Sequence, residues 1–349
     1  MKIVLPSHEH ISKKGLTPYE FVEKIGRLCY KSEDKITQDS AVKFVQGLCK
    51  RQHYAMIEHH WVHIMYTGVK EEFVKALDIF ARHYCFTKGE SYDLTKYMEI
   101  TFAGNVFISA PLRVFFELIR DGVMDLNTDP IPSLIDEMLS AVTNQYPEIF
   151  PIKMSYRITR FFKAMDEETF CRNLYEDMAS YCDEEQTDRE IMKHITHTVR
   201  FVCDRGVSHE LVRHRPCSFA QESTRYCNYS QDRFGEEIAV IKPLFFEQWD
   251  KDHDNKCETM SYGLWARSCE QAEKAYFNLL KEGATPQEAR SVLPNSLKTE
   301  IIMTANETEW QHIVNLRAKG TTGKPHPQMV EIMQPWYEEL KVLSEGRIS

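Results

Sequence analysis

The residues between Arg213 and Arg225 concentrate side chains that could bind an anionic ligand. The segment contains Arg213, His214, Arg215, Gln221, Glu222, Ser223 and Arg225. An arginine guanidinium stays charged and can bind a phosphate through two parallel hydrogen bonds. The spacing favours a helix end followed by a loop that folds back, so that both halves of the segment face one ligand. For the Arg-His-Arg triplet alone, a solvated charged surface is the better interpretation.

The complete segment resembles the signature of the flavin-dependent thymidylate synthases, the ThyX family. In that signature an Arg-His-Arg triplet is followed after seven residues by a serine, here Ser223. Other segments resemble further blocks of the same family. They are His53–His59, Pro286–Pro294, Asn315–Arg317 and His326–Gln328. Ordered blocks at both ends of a chain are more specific than one motif.

The resemblance implies an enzyme that methylates dUMP at C5 of the uracil to give dTMP. FAD would supply a hydride after reduction by NADPH, and methylenetetrahydrofolate would supply the carbon. The protein must then bind the nucleotide phosphate, ionise the uracil and orient the flavin. The resemblance also implies a homotetramer in which several subunits contribute residues to each active site.

Residue by residue, the resemblance places Arg317 at the edge of the uracil ring as the catalytic group. There a fixed cation would favour loss of the N3 proton and increase the nucleophilic character of C5. The residues expected to bind dUMP are Glu210, Arg213, Gln221, Glu222, Ser223, Arg225, Arg290 and Arg317. Those expected to bind FAD are His53, Glu58, Arg213, His214, Arg215, Gln221, Asn306, His312, His326 and Gln328. A structural alternative for Arg317 is a cation that favours the helix dipole at a C-terminus.

No nucleophilic side chain and no metal site are expected. Cys217 and Cys227 flank the signature without an evident base. A serine hydroxyl also needs an adjacent base to attack, so we expect Ser223 to form a hydrogen bond with the nucleotide. The histidines within residues 59–63 lack a suitable third ligand block and fit an alternating strand instead.

Because of three departures from the family pattern, the identity of the substrate is not decided by the resemblance. Ala220 and Gln221 stand where the family commonly has Asn-Glu, Thr308 replaces an arginine, and the interval from Arg317 to Gln328 is longer than usual. These changes motivate a first alternative, a related flavoenzyme that acts on another pyrimidine nucleotide. A second alternative is a catalytically silent nucleotide-binding protein, against which the retained arginines argue.

The composition sets limits on the class of protein. Hydrophobic residues make up 42% of the 349 residues and charged residues 27%, as in an ordinary globular protein. The net charge of −9 disfavours a nucleic-acid surface. The ten scattered cysteines indicate reduced thiols and a cytoplasmic location. No run approaches 18 apolar residues, and residues 1–6 are too short for a signal peptide, so no membrane association is expected.

The elements predict an α+β fold of the ThyX type, with a sheet flanked by helices. Capping signals predict helices that begin after Thr17 and Thr285 and at Asn306. Further predicted helices cover residues 40–50 and 112–119 and begin near residue 208, while strands are predicted at 60–66, 97–102 and 196–202. The C-terminal third is predicted to be mostly helical. Residues 1–66 and 194–349 form the predicted catalytic domain, and residues 67–193 a mostly helical, enlarged insertion.

Overall fold

The strands in the described part of the chain form two four-stranded sheets and one two-stranded sheet. The computed structural model describes residues 1–78, 98–120, 132–150, 159–225, 227–230, 235–246 and 258–349. Within these residues the orders are β2-β7-β10-β8, β4-β5-β3-β6 and a parallel pair β1-β9. The prediction of an α+β fold is confirmed, although it did not distinguish a second four-stranded sheet.

The strands are short except for β7 and β10, which have nine residues each. The bounds are β1 (Lys2–Val4), β2 (Ser7–His10), β3 (Trp61–Tyr66), β4 (Glu99–Phe102), β5 (Val106–Pro111), β6 (Phe162–Met165), β7 (Thr196–Asp204), β8 (Ser218–Gln221), β9 (Ala239–Ile241) and β10 (Lys298–Asn306). Tyr97, which was predicted to open β4, lies outside the described residues.

The helices cover most of the remaining described chain. Their bounds are α1 (Pro18–Tyr30), α2 (Ser40–Lys50), α3 (Leu112–Arg120), α4 (Pro132–Gln145), α5 (Glu167–Met178), α6 (Glu184–Ile191), α7 (Arg205–Leu211), α8 (Glu258–Lys281), α9 (Pro286–Ala289), α10 (Glu307–Arg317) and α11 (Pro327–Leu343). Residues 70–78 are also helical. None of the helices in the described residues is both long and apolar enough to cross a membrane.

The long antiparallel pair of β7 and β10 forms the centre of the first sheet. Its register runs from Thr196 opposite Asn306 to Asp204 opposite Lys298. The strand β10 was not predicted, because the C-terminal third was expected to be mostly helical. β10 lies between β7 and β8, and six consecutive residues at its end are buried, so its sequence lacks the alternation of a half-buried strand.

The helix α7 corrects a second prediction. Residues 204–206 were expected to form a turn before a helix that begins near Ser208. Instead, the Asp204 carboxylate accepts a 2.7 Å hydrogen bond from the backbone N–H of Val207, so Asp204 is the N-cap and the helix begins at Arg205. An aspartate at this position satisfies a backbone donor that the first helical turn leaves open.

The second sheet joins the predicted N-terminal part to the predicted insertion. β3 pairs with β5 on one side and with β6 on the other. One buried apolar cluster also contains residues from both segments, including Phe21, Ile57, Phe115 and Val142. Residues 1–66 and the described parts of 67–193 therefore share a sheet and a core. The description of residues 67–193 as an insertion remains a prediction, and part of that segment lies outside the described residues.

Candidate functional site

The guanidinium of Arg317 is held by two residues that follow β7 in the chain, Glu210 and His214. Its Nη1 donates to Glu210 Oε2 at 2.8 Å, and its Nη2 donates to the backbone carbonyl of Glu210 at 3.3 Å. Its Nε donates to Nε2 of His214 at 3.1 Å. Because these contacts come from three directions around one planar group, the guanidinium has a fixed orientation.

Two capped helices bring these residues together. The Asn306 side chain accepts a 2.9 Å hydrogen bond from the backbone N–H of Glu309 and so begins α10, which ends at Arg317. The helix α7 ends at Leu211, one residue after Glu210. Side chains of α7 and α10 pack in one apolar cluster together with β7 and β10. The contact between Arg317 and Glu210 therefore results from the packing of two helices on the central strands.

His214, Glu309 and His312 form a compact group beside Arg317. Their possible ligand atoms all lie within 4.8 Å of one another, a spacing that a metal ion could use. However, Nε2 of the buried His214 accepts the hydrogen bond from Arg317, so in the neutral ring the proton is on Nδ1. That Nδ1 lies 3.7 Å from Glu309 Oε1. A protonated Nδ1 cannot bind a metal, so the arrangement favours a polar network over a metal centre.

Gln221 and Glu222 are directed into the protein. The Gln221 amide donates to Ser208 Oγ at 2.9 Å and to Thr299 Oγ1 at 3.2 Å. The buried Glu222 carboxylate accepts a 3.0 Å hydrogen bond from the Lys298 ammonium. The polar groups of both side chains are therefore bound by residues of α7 and β10, and among the described residues neither side chain bonds to Ser223.

The carboxylate of Glu300 completes this charge network. Lys298 and Lys31 both bind it, at 2.5 and 2.6 Å. Burial opposes ionisation of Glu300, but the two ammonium groups outweigh it and hold its pKa at about 2. Burial likewise opposes the charged form of Lys298, whose pKa is nevertheless raised by Glu222 and Glu300. The network is a fixed, internally neutralised set of charges next to the signature.

The end of the signature contacts the segment that follows α9. Arg225 Nε donates to Gln287 Oε1 at 3.0 Å, and Arg290 Nη1 donates to Thr224 Oγ1 at 3.4 Å. Both arginines are exposed. Ser223 Oγ accepts a hydrogen bond of 3.3 Å from the backbone N–H of Arg225. Two guanidinium groups and a hydroxyl thus lie on one loop and the short helical segment against it, an arrangement suited to a phosphate.

Arg213 and Arg215 present unused positive charge. Both side chains are exposed, and neither forms a hydrogen bond or ion pair with another residue that the structure describes. They flank the buried His214. An anionic group that approaches this turn would therefore meet two guanidinium groups without displacing a protein partner. This observation fits a cofactor that carries phosphates.

The predicted cofactor residues of the N-terminal block lie near β8. His53 is exposed, with Nδ1 at 3.4 Å from the Tyr30 hydroxyl. Glu58 binds Arg113, and its backbone carbonyl accepts a 3.1 Å hydrogen bond from Ser218 Oγ. Burial raises the pKa of Glu58, and the bond to Arg113 only partly opposes that shift. The hydrogen bond of Ser218 therefore connects this block to the signature.

Asn306, His326 and Gln328 have structural partners for their polar atoms. The Asn306 amide nitrogen donates to Glu99 at 3.3 Å and to the Lys193 carbonyl at 3.0 Å, in addition to the capping bond of its oxygen. His326 caps α11. The buried Gln328 donates to the Asp204 carboxylate. A cofactor contact through these side chains would have to share or replace these bonds.

The three positions that depart from the family pattern lie in β8, at the start of α10 and in the loop after α10. Ala220 is buried in β8 opposite Ile302 of β10. Thr308 is exposed on the first turn of α10, and its backbone N–H donates to the Met192 carbonyl at 3.2 Å. In the glycine-rich loop after α10, a Cβ on Gly320 would lie 2.8 Å from Pro325. This turn has a backbone φ of +68°, which glycine adopts at no steric cost.

The predicted residues thus fall into separate groups. One group surrounds Arg317 and contains Glu210, His214 and His312, and another contains Ser223, Arg225 and Arg290. Within the described parts of the chain, no hydrogen bond joins these two groups. The sequence interpretation missed Glu309, Lys298 and the Ser208–Thr299 pair as partners. For Glu309 a signal existed, since it lies three residues before His312 on the same helix.

Comparisons with known proteins bear on the family to which the chain belongs. The family model of the thymidylate synthase complementing protein matches residues 139–343, and so begins inside the predicted insertion. The chain is 33% identical to a flavin-dependent thymidylate synthase of Pyrococcus abyssi over 128 residues, which is 36% of this chain and 48% of that protein. For the enzyme named in the same way from Geobacter sulfurreducens, the identity is 32% over 113 residues, 32% of this chain and 43% of that protein. The chain spans about half the length of the curated relatives it matches.

Among solved structures, the chain is similar to a UMP/dUMP methylase, PolB from Streptomyces cacaoi, bound with 5-Br UMP. The identity is 20%, the TM-score is 0.37, and the match covers 52% of this chain and 85% of that chain. The match to the family model covers 205 of the 349 residues, more than half of the chain. The predicted resemblance is therefore confirmed, and the chain belongs to the thymidylate synthase complementing protein family, that of the flavin-dependent thymidylate synthases.

Proposed function

We propose that this protein catalyses the FAD-dependent reductive methylation of dUMP to dTMP, with methylenetetrahydrofolate as carbon donor and NADPH as reductant. The observation that carries the proposal is the state of Arg317. A guanidinium has five N–H donors. Among the described residues, Glu210 and His214 use three of them, which leaves two for a ligand. An oriented cation with free donors suits the edge of a uracil ring.

Arg317 acts in this proposal on the charge that develops on the uracil. Its free N–H groups stabilise negative charge at the imide edge, and this charge increases the electron density at C5. Glu210 and His214 are positioning residues, because they fix the plane of the guanidinium. The Glu210 carboxylate also neutralises part of the positive charge of Arg317. A substrate therefore meets N–H donors of fixed direction instead of an isolated cation.

Arg225, Arg290 and Ser223 bind the phosphate of the nucleotide in this proposal. The two guanidinium groups are exposed on adjacent segments, and a phosphate dianion can accept from both. Ser223 contributes a hydroxyl donor and does not act as a nucleophile. Its neighbour Glu222 is bound by Lys298, and among the described residues it forms no hydrogen bond with Ser223 that would activate the hydroxyl.

FAD, when bound, supplies the hydride for the methylation. The residues that would hold it are Arg213, His214 and Arg215, with His53 and Glu58 of the N-terminal block. The fit rests on the exposed guanidinium groups of Arg213 and Arg215, which have no partner among the described residues. Positive charge at this turn would balance the cofactor phosphates or an anionic reduced flavin.

A related flavoenzyme with another pyrimidine nucleotide is the second candidate. It is favoured by Gln221, which provides a neutral amide where the family commonly has a carboxylate. That amide is bound to Ser208 and Thr299. A change from charged acceptor to amide at a nucleotide contact could alter the choice of sugar or base.

The direct test is anaerobic turnover of the purified protein with methylenetetrahydrofolate, NADPH and one nucleotide at a time. Parallel reactions contain dUMP, UMP and dCMP, and the methylated nucleotide is identified by mass spectrometry. Our proposal expects methylation of dUMP in preference to the others. Preferential methylation of UMP or dCMP would support the second candidate. A colourless protein that does not take up added FAD would refute both and support a silent nucleotide-binding protein.

We also propose that the active form is a homotetramer. The support is the separation of the predicted ligand groups around Arg317 and Arg225 within the described chain, since residues from neighbouring subunits would complete each site. Light scattering coupled to gel filtration measures the mass at assay concentration. An active monomer would contradict this assembly and would require one chain to form the whole site.

A further inference from the structure

A basic pocket opens between α1 and α2, outside the two groups described above. Its volume is about 780 Å³. This volume lies in the range of pockets that bind small-molecule substrates and cofactors. Four cationic side chains line it, Arg27, Lys35, Lys43 and Arg51, together with a single carboxylate, that of Asp39. The lining is therefore positive, although the whole chain carries a net charge of −9.

The two helices fix the floor of this pocket. A Cβ on Gly26 would lie 2.6 Å from the Phe44 ring, so a larger residue at this position would displace that ring. Arg27 lies over the same ring, with its guanidinium carbon 4.5 Å from the centroid, and binds the buried Glu23 with a nitrogen–oxygen distance of 3.1 Å. Arg27 is therefore a neutralised structural residue, and its charge does not count toward ligand binding.

Three cations of the pocket have no counterion among the described residues. Lys35, Lys43 and Arg51 are exposed, and none forms an ion pair within the described ranges. Arg51 folds back along α2, since a Cβ on Gly47 would lie 3.2 Å from its Nη1. Like charges held near one another repel, and a ligand with several negative charges removes this repulsion.

The pocket adjoins the predicted cofactor site. Tyr30 lines the pocket, and its hydroxyl lies 3.4 Å from Nδ1 of His53, which is expected to contact FAD. A ligand whose charged end occupies the pocket could therefore extend past Tyr30 toward the flavin. Each co-substrate of the proposed reaction has a reacting ring at one end and an anionic group at the other.

We propose that the pocket between α1 and α2 binds the multiply charged anionic end of a co-substrate and leaves its reacting ring at the flavin site. The anion is either the oligoglutamyl tail of the folate or the 2′-phosphate end of NADPH, which share the need for several cations. The identity of the co-substrate rests on the proposed function, whereas the binding of a polyanion here does not.

The experiment measures equilibrium binding to the FAD-loaded protein by calorimetry, without turnover. One pair of ligands is folate with one or with four glutamates, and the other is NADP⁺ and NAD⁺. The test variant is Lys43→Glu with Arg51→Glu. The matched control is Lys274→Glu with Lys281→Glu, which makes the same charge change at two exposed positions of α8. Glutamine replaces glutamate in both variants if the test variant does not fold.

We expect the wild type to bind the more anionic member of one pair about tenfold more tightly, which corresponds to about 1.4 kcal/mol. The test variant should lose that preference and the control should keep it. The pair that shows the effect identifies the source of the anion. Equal affinities within both pairs, or a preference that survives in the test variant, would overturn the proposal. If the preference is present but dTMP does not form, the pocket stands and the proposed function fails.

Discussion

Arg317 and Glu210 form a 2.8 Å ion pair between the last residue of α10 and the penultimate residue of α7. The two residues are 107 positions apart in the chain. The pair is partly exposed, with 19% of the Arg317 side chain and 35% of the Glu210 side chain accessible. The pair is therefore accessible to a ligand. A partly exposed ion pair contributes little to the stability of the fold, so its main effect is to orient the guanidinium.

Arg290→Ala should weaken the use of dUMP without loss of FAD. If Arg290 binds the nucleotide phosphate, its removal deletes a charge-assisted hydrogen bond, and KM for dUMP should rise by roughly tenfold or more. The flavin absorbance of the purified variant should equal that of the wild type. Arg189→Ala, which removes an exposed arginine of α6, is the control. An unchanged KM for dUMP would remove Arg290 from the phosphate site.

Cys217→Ala should retain activity within about threefold, with a loss of about 1 kcal/mol in the free energy of unfolding. The Cys217 side chain is buried, and burial raises the pKa of its thiol, so no thiolate is available as a nucleophile. The control is Cys203→Ala, a second buried cysteine with a raised thiol pKa outside the signature. If only Cys217→Ala abolished dTMP formation in folded, FAD-loaded protein, the chemistry would involve this thiol.

The stability of the protein should fall as the pH falls from about 6.5 to about 3, in part through His194. Both ring nitrogens of His194 are bonded, to Ser109 at 2.6 Å and to Thr101 at 2.9 Å, and burial lowers its pKa to about 3. In the unfolded chain a histidine titrates near pH 6.5. Between these values the unfolded state binds the extra proton, so acid favours unfolding by up to about 1.4 kcal/mol per pH unit.

His194→Gln should reduce this slope by the contribution of one proton, even though the variant is less stable at pH 7. Urea unfolding at several pH values between 3.5 and 7 provides the two curves. Parallel curves for the wild type and the variant would show that His194 does not titrate in this window. The comparison uses slopes, so a constant loss of packing or hydrogen bonding in the variant does not affect it.

Local sequence signals predicted several helices well because the information lies within a few residues. The predicted α2 matches Ser40–Lys50 in full, and α1 begins directly after the Thr17 capping box. Asn306 caps α10 as predicted. The predictions for α1 and α10 depend on side chains that bond to a backbone group three residues away. The prediction for α2 depends on the helical spacing of its apolar residues. Neither signal needs knowledge of the tertiary structure.

Tertiary relationships could not be predicted in the same way. The sequence of β10 does not alternate between apolar and polar residues as a half-buried strand does. Its position between β7 and β8 explains why its last six residues, Thr304 and Asn306 among them, are all buried. The partners of Arg317 and of Gln221 come from segments distant in the chain. Family resemblance named the residues of the site, but their grouping into two sets depends on packing that no periodicity encodes.

The most direct test of the account is single-turnover formation of dTMP by Arg317→Ala under anaerobic conditions. FAD should remain bound, because Arg213 and Arg215 belong to a different element, and NADPH should still reduce it. The rate of dTMP formation should fall by roughly 10²- to 10³-fold, the range for loss of one preorganised charge-stabilising group. Arg317→Lys should restore the rate only in part, because an ammonium lacks the planar set of donors. Formation of dTMP by Arg317→Ala at the wild-type rate would contradict the assignment of uracil activation to Arg317.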